Sequence, residues 1–143
     1  MFTGLSRKYI AALRNGDFLF EDGLYKIRVW KDDREIILPV KAELQVVINE
    51  YCLKLPNEEM TMRVIKIDEN ALSTYVTNLV ESIIAQHCTP TILSNTFINK
   101  ALKNGNCIWE ISRLTLESVG IISGHVVEDE NLSYRQTSIL NSF

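Results

Sequence analysis

Histidine is nearly absent from the 143 residues, with only His87 and His125, and cysteine is limited to Cys52, Cys88 and Cys107. An odd, widely spaced cysteine set without a C-x-x-C pair argues against both a disulfide framework and a thiolate zinc site. Buried thiols in a reducing cytosol are the expectation instead. Two histidines with no carboxylate at ligand spacing supply no metal set. The six glycines are scattered, so no Gly-rich loop cradles a phosphate. No apolar run approaches the length of a membrane span. The opening Met1-Phe2-Thr3-Gly4-Leu5 lacks the apolar core of a secretory signal. A cytoplasmic location follows, in the host cytoplasm if the protein is viral. No internal repeat, linker or low-complexity segment interrupts the chain.

The composition is that of an ordinary folded protein, 46% hydrophobic and 23% charged. A net charge of -3 gives no global pull toward nucleic acid or anionic membrane. The distribution is uneven: residues 1–41 carry eight Lys/Arg against six Asp/Glu, and residues 42–90 carry three against seven. A solvated surface accounts for so small an asymmetry. The length suits one domain, 1–143, with its own core.

The strongest punctuation lies between Asp68 and Trp109. Asp68 suits an N-cap, and Leu72, Val76, Leu79, Val80, Ile83 and Ile84 then recur as one apolar helical stripe. Thr89-Pro90 stops this helix and starts another, with proline at the first helical position. Leu93, Phe97, Ala101 and Leu102 continue the stripe, and Asn104-Gly105 ends it. Cys107, Ile108, Trp109 and Ile111 form an apolar run that reads as a buried strand.

Upstream, residues 5–14 have helical spacing, Asn15-Gly16-Asp17 is a turn, and residues 18–20 and 24–30 read as strands. In the second strand Tyr25, Ile27 and Val29 share one face, and Lys26, Arg28 and Trp30 the other. Lys31 to Arg34 is a hairpin turn, residues 35–40 return, and Pro39 fits an edge or strand end. A helix is the choice for residues 43–55, although Val46-Val47-Ile48 also suits a strand. Residues 56–59 are a loop, and 60–67 a strand by β-branched content. A β-rich tail is expected after Trp109, with segments at 114–122, 125–127 and 134–140 and a turn at 128–131. The fold class predicted is α+β, a single domain with a mostly antiparallel sheet and two or three amphipathic helices.

No arrangement carries visible chemistry. His87-Cys88 are sequence neighbours at a helix end, and a nucleophilic dyad needs them adjacent in space with a third group to orient the imidazole. Glu21-Asp22, Asp32-Asp33, Glu58-Glu59 and Glu128-Asp129-Glu130 fall in turns, where solvation explains them. Catalytic residues, metal ligands and cofactors are therefore not assigned, and an enzyme is not expected. Lys26, Arg28 and Trp30, with Lys31 and Arg34 at the hairpin tip, are more suggestive. Cations interleaved with an aromatic on one strand face are what a single-stranded RNA platform requires. The plain alternative is an exposed face where aliphatic stems pack beside Trp30.

The stretch Leu79 to Ile111, with its Asn104-Gly105-x-x-x-Trp109 entry, resembles the backbone subunit of type I-F CRISPR surveillance complexes. The turn at Gly16-Asp17-Phe18 looks like the opening of that family. Its subunits are far longer, so the likeness covers their N-terminal portion. Glu110 follows the tryptophan where the family places basic or polar residues, and Arg113 is the nearest cation. The resemblance implies a protein-binding, viral anti-CRISPR inhibitor that imitates part of the backbone subunit, with a CRISPR effector subunit as its partner. Its aromatic anchors would be Trp30, Tyr25 and Phe97. An RNA-binding subunit and a structural or chaperone-like homodimer are the alternatives.

Overall fold

Alternation along Leu24–Lys31 gives a strand, β2, with one wet and one dry face. In the computed structural model, which describes residues 4–126 and 140–142, it is the centre of a three-stranded antiparallel sheet. Phe18–Glu21 (β1) pairs on one side, Phe18 opposite Ile27, and Arg34–Pro39 (β3) on the other, Ile27 opposite Leu38. Pro39 ends an edge strand, where its missing amide breaks no ladder. Asp32 and Asp33 form the two-residue loop between β2 and β3 at φ of 49° and 59°, a left-handed pair whose twist matches the hairpin.

Six helices among the described residues complete an α+β domain: α1 (Arg7–Ala12), α2 (Ala42–Leu53), α3 (Glu69–Ile84), α4 (Pro90–Lys103), α5 (Ile108–Thr115) and α6 (Val119–Ser123). The dry face of the sheet, Ile27, Val29 and Leu38, buries against Leu5 and Leu13 around α1, and Leu116 closes this core. A second core joins the last three helices through Ile98, Ile111 and Ile122. The α2 helix is tied to β2 by Gln45, whose amide accepts from Tyr25 N (2.6 Å) and donates to Tyr25 O (2.8 Å).

The expected caps are present. Asp68 Oδ1 accepts from Ala71 N at 2.8 Å, and Thr89 Oγ1 from Ile92 N at 3.3 Å with Pro90 following. Gly105 takes φ +84° after α4, the conformation that favours glycine there.

Three expectations fail. Residues 107–111 open α5 in place of a strand: Glu110 Oε2 accepts from Cys107 N at 3.2 Å, and Ile108, Ile111 and Thr115 line one helical face. A short apolar run does not distinguish the two structures, and here the capping acid decides. The segment that carried the backbone-subunit resemblance thus enters a helix. Residues 60–67 form no strand, and only Arg14 and Arg63 bridge there. The tail segment 114–122 holds α6, started by Ser118, whose Oγ accepts from Ile121 N. The expected turn at 128–131 and most of the segment 134–140 lie outside the described residues.

Two burial expectations also change. On α3 only Leu72 is buried, while Leu79, Ile83 and Ile84 stand exposed. All three cysteines are free thiols, yet Cys107 is exposed, Cys52 half-buried and only Cys88 buried.

The short helical turn Asn15–Asp17 holds these parts together. Asp17 is buried and accepts from Arg14 N (2.8 Å) and Arg28 Nε (3.0 Å). Asn15, also buried, donates to Glu59 O and accepts from the Tyr51 hydroxyl, both at 2.8 Å. Gly16 N reaches Met60 O at 2.8 Å. One turn therefore anchors α1, β2, α2 and the 57–64 loop. Replacing Asp17 by Ala should cost about 2 kcal/mol, the scale of hydrogen bonds to a charged group. Urea unfolding checks this, and a loss indistinguishable from zero contradicts the anchoring role.

Candidate nucleic-acid interface

The pairing register settles which side chains share the wet face of the sheet. Lys26 stands opposite Pro39, Arg28 opposite Ile37 and Trp30 opposite Glu35, so Lys26, Arg28 and Trp30 form a column with Ile37 beside them. Trp30 is 57% exposed, with Ile37 at 44%. Lys26 Nζ lies 3.0 Å from Glu21 Oε2, and this hydrogen-bonded carboxylate holds the ammonium above its ordinary range, so it is charged at neutral pH. The Arg28 guanidinium is fixed by Asp17 and by Gly16 O, to which Nη2 donates at 2.9 Å.

The other expected site residues are not all in this column. Arg34 stands exposed at the hairpin end of β3. Lys31 turns away, and its Nζ donates to Leu116 O at 2.6 Å. The bond secures a carbonyl whose residue is left-handed, φ 63°, at the end of α5. Burial, with Asp32 and Glu117 after it, pushes the nearby Tyr9 phenol up.

Tyr25 faces α2: its hydroxyl donates to Asn49 Oδ1 at 3.2 Å and its ring lies 4.9 Å from that of Phe20. Burial raises the Tyr25 phenol, with the Cys52 thiol contributing. Arg113 lies exposed in the last turn of α5, on a different element. Phe97 is committed to packing: its ring covers Gly4, where a Cβ would sit 2.6 Å from a ring carbon.

Sequence reasoning missed two cations. Arg14 and Arg63, 49 positions apart in sequence, are brought opposite one another by an antiparallel bridge, and both are exposed. Arg14 precedes the Asn15–Asp17 turn, Arg28 is bonded to it, and the bridge brings the backbone of Arg63 alongside. The signal was not in spacing, because the strand expected at 60–67 gave no partner for Arg63.

A separate cleft of about 260 Å³ lies between α1, α4 and α6, lined by Ser6, Arg7, Glu69, Thr91, Ser94 and Glu117 among others. Its one cation, Arg7, is held by Glu69 at 2.9 Å. Two carboxylates and a row of hydroxyls make it unsuited to an anion. No group of His, Cys, Asp and Glu among the described residues could hold a metal ion, and none of their helices is long and apolar enough to cross a membrane.

No family model matches the chain, and no curated protein sequence matches it. Solved structures do. The crystal structure of XerA recombinase superimposes with a TM-score of 0.69 at 19% identity, over 98% of this chain and 53% of that one. The XerH site-specific recombinase, bound to its difH substrate in a pre-cleavage complex, superimposes with a TM-score of 0.70 at 17% identity, over 97% of this chain and 44% of that one. The chain shares their fold. It spans about half the length of the recombinases it matches.

Proposed function

We propose that this chain is a DNA-binding module that grips a duplex through the wet side of its sheet and does not cleave it. The observation that carries the reading is the column of Lys26, Arg28 and the exposed ring of Trp30 on one face of β2, with Arg28 bonded to the turn that follows the bridged Arg14. Cations position phosphates, and an aromatic adds a stacking or wedging surface. The likeness of fold to a recombinase solved on its DNA substrate supports duplex DNA over single-stranded RNA as the partner.

Within this reading the cleft between α1, α4 and α6 takes no part in strand cleavage. Breaking a phosphodiester needs donors and cations aimed at the charge that develops on the phosphorus oxygens. The cleft between α1, α4 and α6 presents Glu69 and Glu117, and its arginine is already paired. Such a module would occupy a site or join a larger assembly while leaving the strands intact.

A labelled duplex should bind at low salt and lose affinity linearly in log salt as counterions are released. Exchanging Lys26→Glu together with Trp30→Ala should weaken binding by about tenfold or more, given the worth of one stacked aromatic. Fluorescence anisotropy reads this. Undetectable duplex binding at low salt overturns the proposal, and tighter binding of single-stranded RNA returns the site to RNA.

One observation favours a second reading, protein docking. Tyr75, Leu79 and Ile83 recur at four-residue spacing along α3 and are all exposed, Ile83 at 71%. An apolar helix stripe of this kind marks a partner surface. The type I-F resemblance names a CRISPR effector subunit as that partner. Capture of the surveillance complex by the purified chain, lost on Ile83→Asp, supports this reading, and no capture by the unaltered chain removes it.

A further inference from the structure

The Arg14–Arg63 bridge sets two like charges opposite one another. Asn15 N donates to Met62 O (2.9 Å) and Val64 N to Leu13 O (3.0 Å), so the two arginines occupy the non-hydrogen-bonded position between these bonds. In that position Cα atoms approach to about 4.5 Å and the side chains leave on the same side. Like charges set directly opposite destabilise an antiparallel pair. Leu13 and Asn15 on either side of Arg14 are buried, which sends Arg14 outward.

Among the described residues no carboxylate is ion-paired with either arginine. Arg14 spends one Nη1 hydrogen on Thr61 O at 3.2 Å, and Arg63 makes no hydrogen bond or ion pair to another described side chain. Asp17, the nearest carboxylate to the turn, has one oxygen on the Arg14 backbone amide and the other on Arg28. A guanidinium carries five donors in a planar fork, so most of the donor capacity of the pair faces solvent.

We infer that Arg14 and Arg63 form a two-pronged clamp for a phosphate group. An oxyanion between the two forks replaces the repulsion by charge-assisted hydrogen bonds, bidentate from either side. The Arg28 guanidinium is balanced by Asp17 and leaves the charge of the clamp to Arg14 and Arg63. The clamp rests on the DNA-binding reading for its natural source, the duplex backbone, while its chemistry serves any accessible phosphate monoester or diester.

The diagnostic variant is Arg63→Glu, which turns the repelling pair into an attracting one. In chloride buffer its thermal midpoint should equal or exceed that of the unaltered chain. Exchanging chloride for inorganic phosphate at fixed ionic strength should raise the midpoint of the unaltered chain, since a ligand that binds only the folded state stabilises it. Arg63→Glu should show no such rise. The milder Arg63→Gln should lower the salt slope of duplex binding by about one, the signature of a lost phosphate contact.

The clamp is overturned if phosphate leaves the unaltered chain unshifted, or if Arg63→Glu retains the shift. A phosphate shift that Arg63→Glu abolishes, in a chain that binds no duplex, upholds the clamp and overturns only the DNA reading.

Discussion

A buried carboxylate that no chain can leave unpaired sets the arrangement of this fold. Asp17 has almost no access to water, and an unpaired charge there is far costlier than any single apolar contact is favourable. Its two oxygens are satisfied by a backbone amide at the end of α1 and by the Arg28 guanidinium of β2. Asn15, two positions earlier, reaches Tyr51 on α2 and the carbonyl of Glu59. Because each partner comes from a different part of the chain, satisfying this one turn fixes the sheet relative to α1, α2 and the 57–64 loop. The same constraint aims Arg28 toward the turn and draws Arg63 up beside Arg14.

The charge pattern divides accordingly. One side of the sheet has Lys31 tied to a carbonyl and Tyr9 near Asp32 and Glu117. The other has Arg28 fixed, Lys26 charged and Trp30 open to solvent. On this face Glu21 pairs with Lys26 and Asp17 with Arg28, so the exposed Arg14 and Arg63 contribute the cations that no described carboxylate pairs. Affinity for a polyanion depends on that local field, and the total charge is a poor guide to it.

Local signals were legible in the sequence. Asp68, Thr89-Pro90 and Asn104-Gly105 act within one turn of helix, so their meaning does not depend on the rest of the fold, and all three are realised. The alternation of β2 fixed which residues share a face, and Lys26, Arg28 and Trp30 do. Apolar runs without period were misread: 107–111 is helical because Glu110 closes a capping box, and 114–122 because Ser118 caps α6. Residues 60–67 have β-branched content but find no strand partner beyond Arg14. Lys31 was grouped with the binding face on adjacency, and its bond to Leu116 takes it elsewhere; Tyr25, named as an aromatic anchor, is bonded to Asn49 of α2. The arginine pair was invisible, since only the folded chain brings positions 14 and 63 together.

Amide hydrogen exchange with and without a DNA duplex tests the central claim most directly, because it reports which backbone segments a ligand shields. The account predicts slowed exchange in residues 14–31 and 60–64, with residues 75–84 of α3 unchanged. Slowing confined to α3, or no slowing anywhere at saturating duplex, would contradict it.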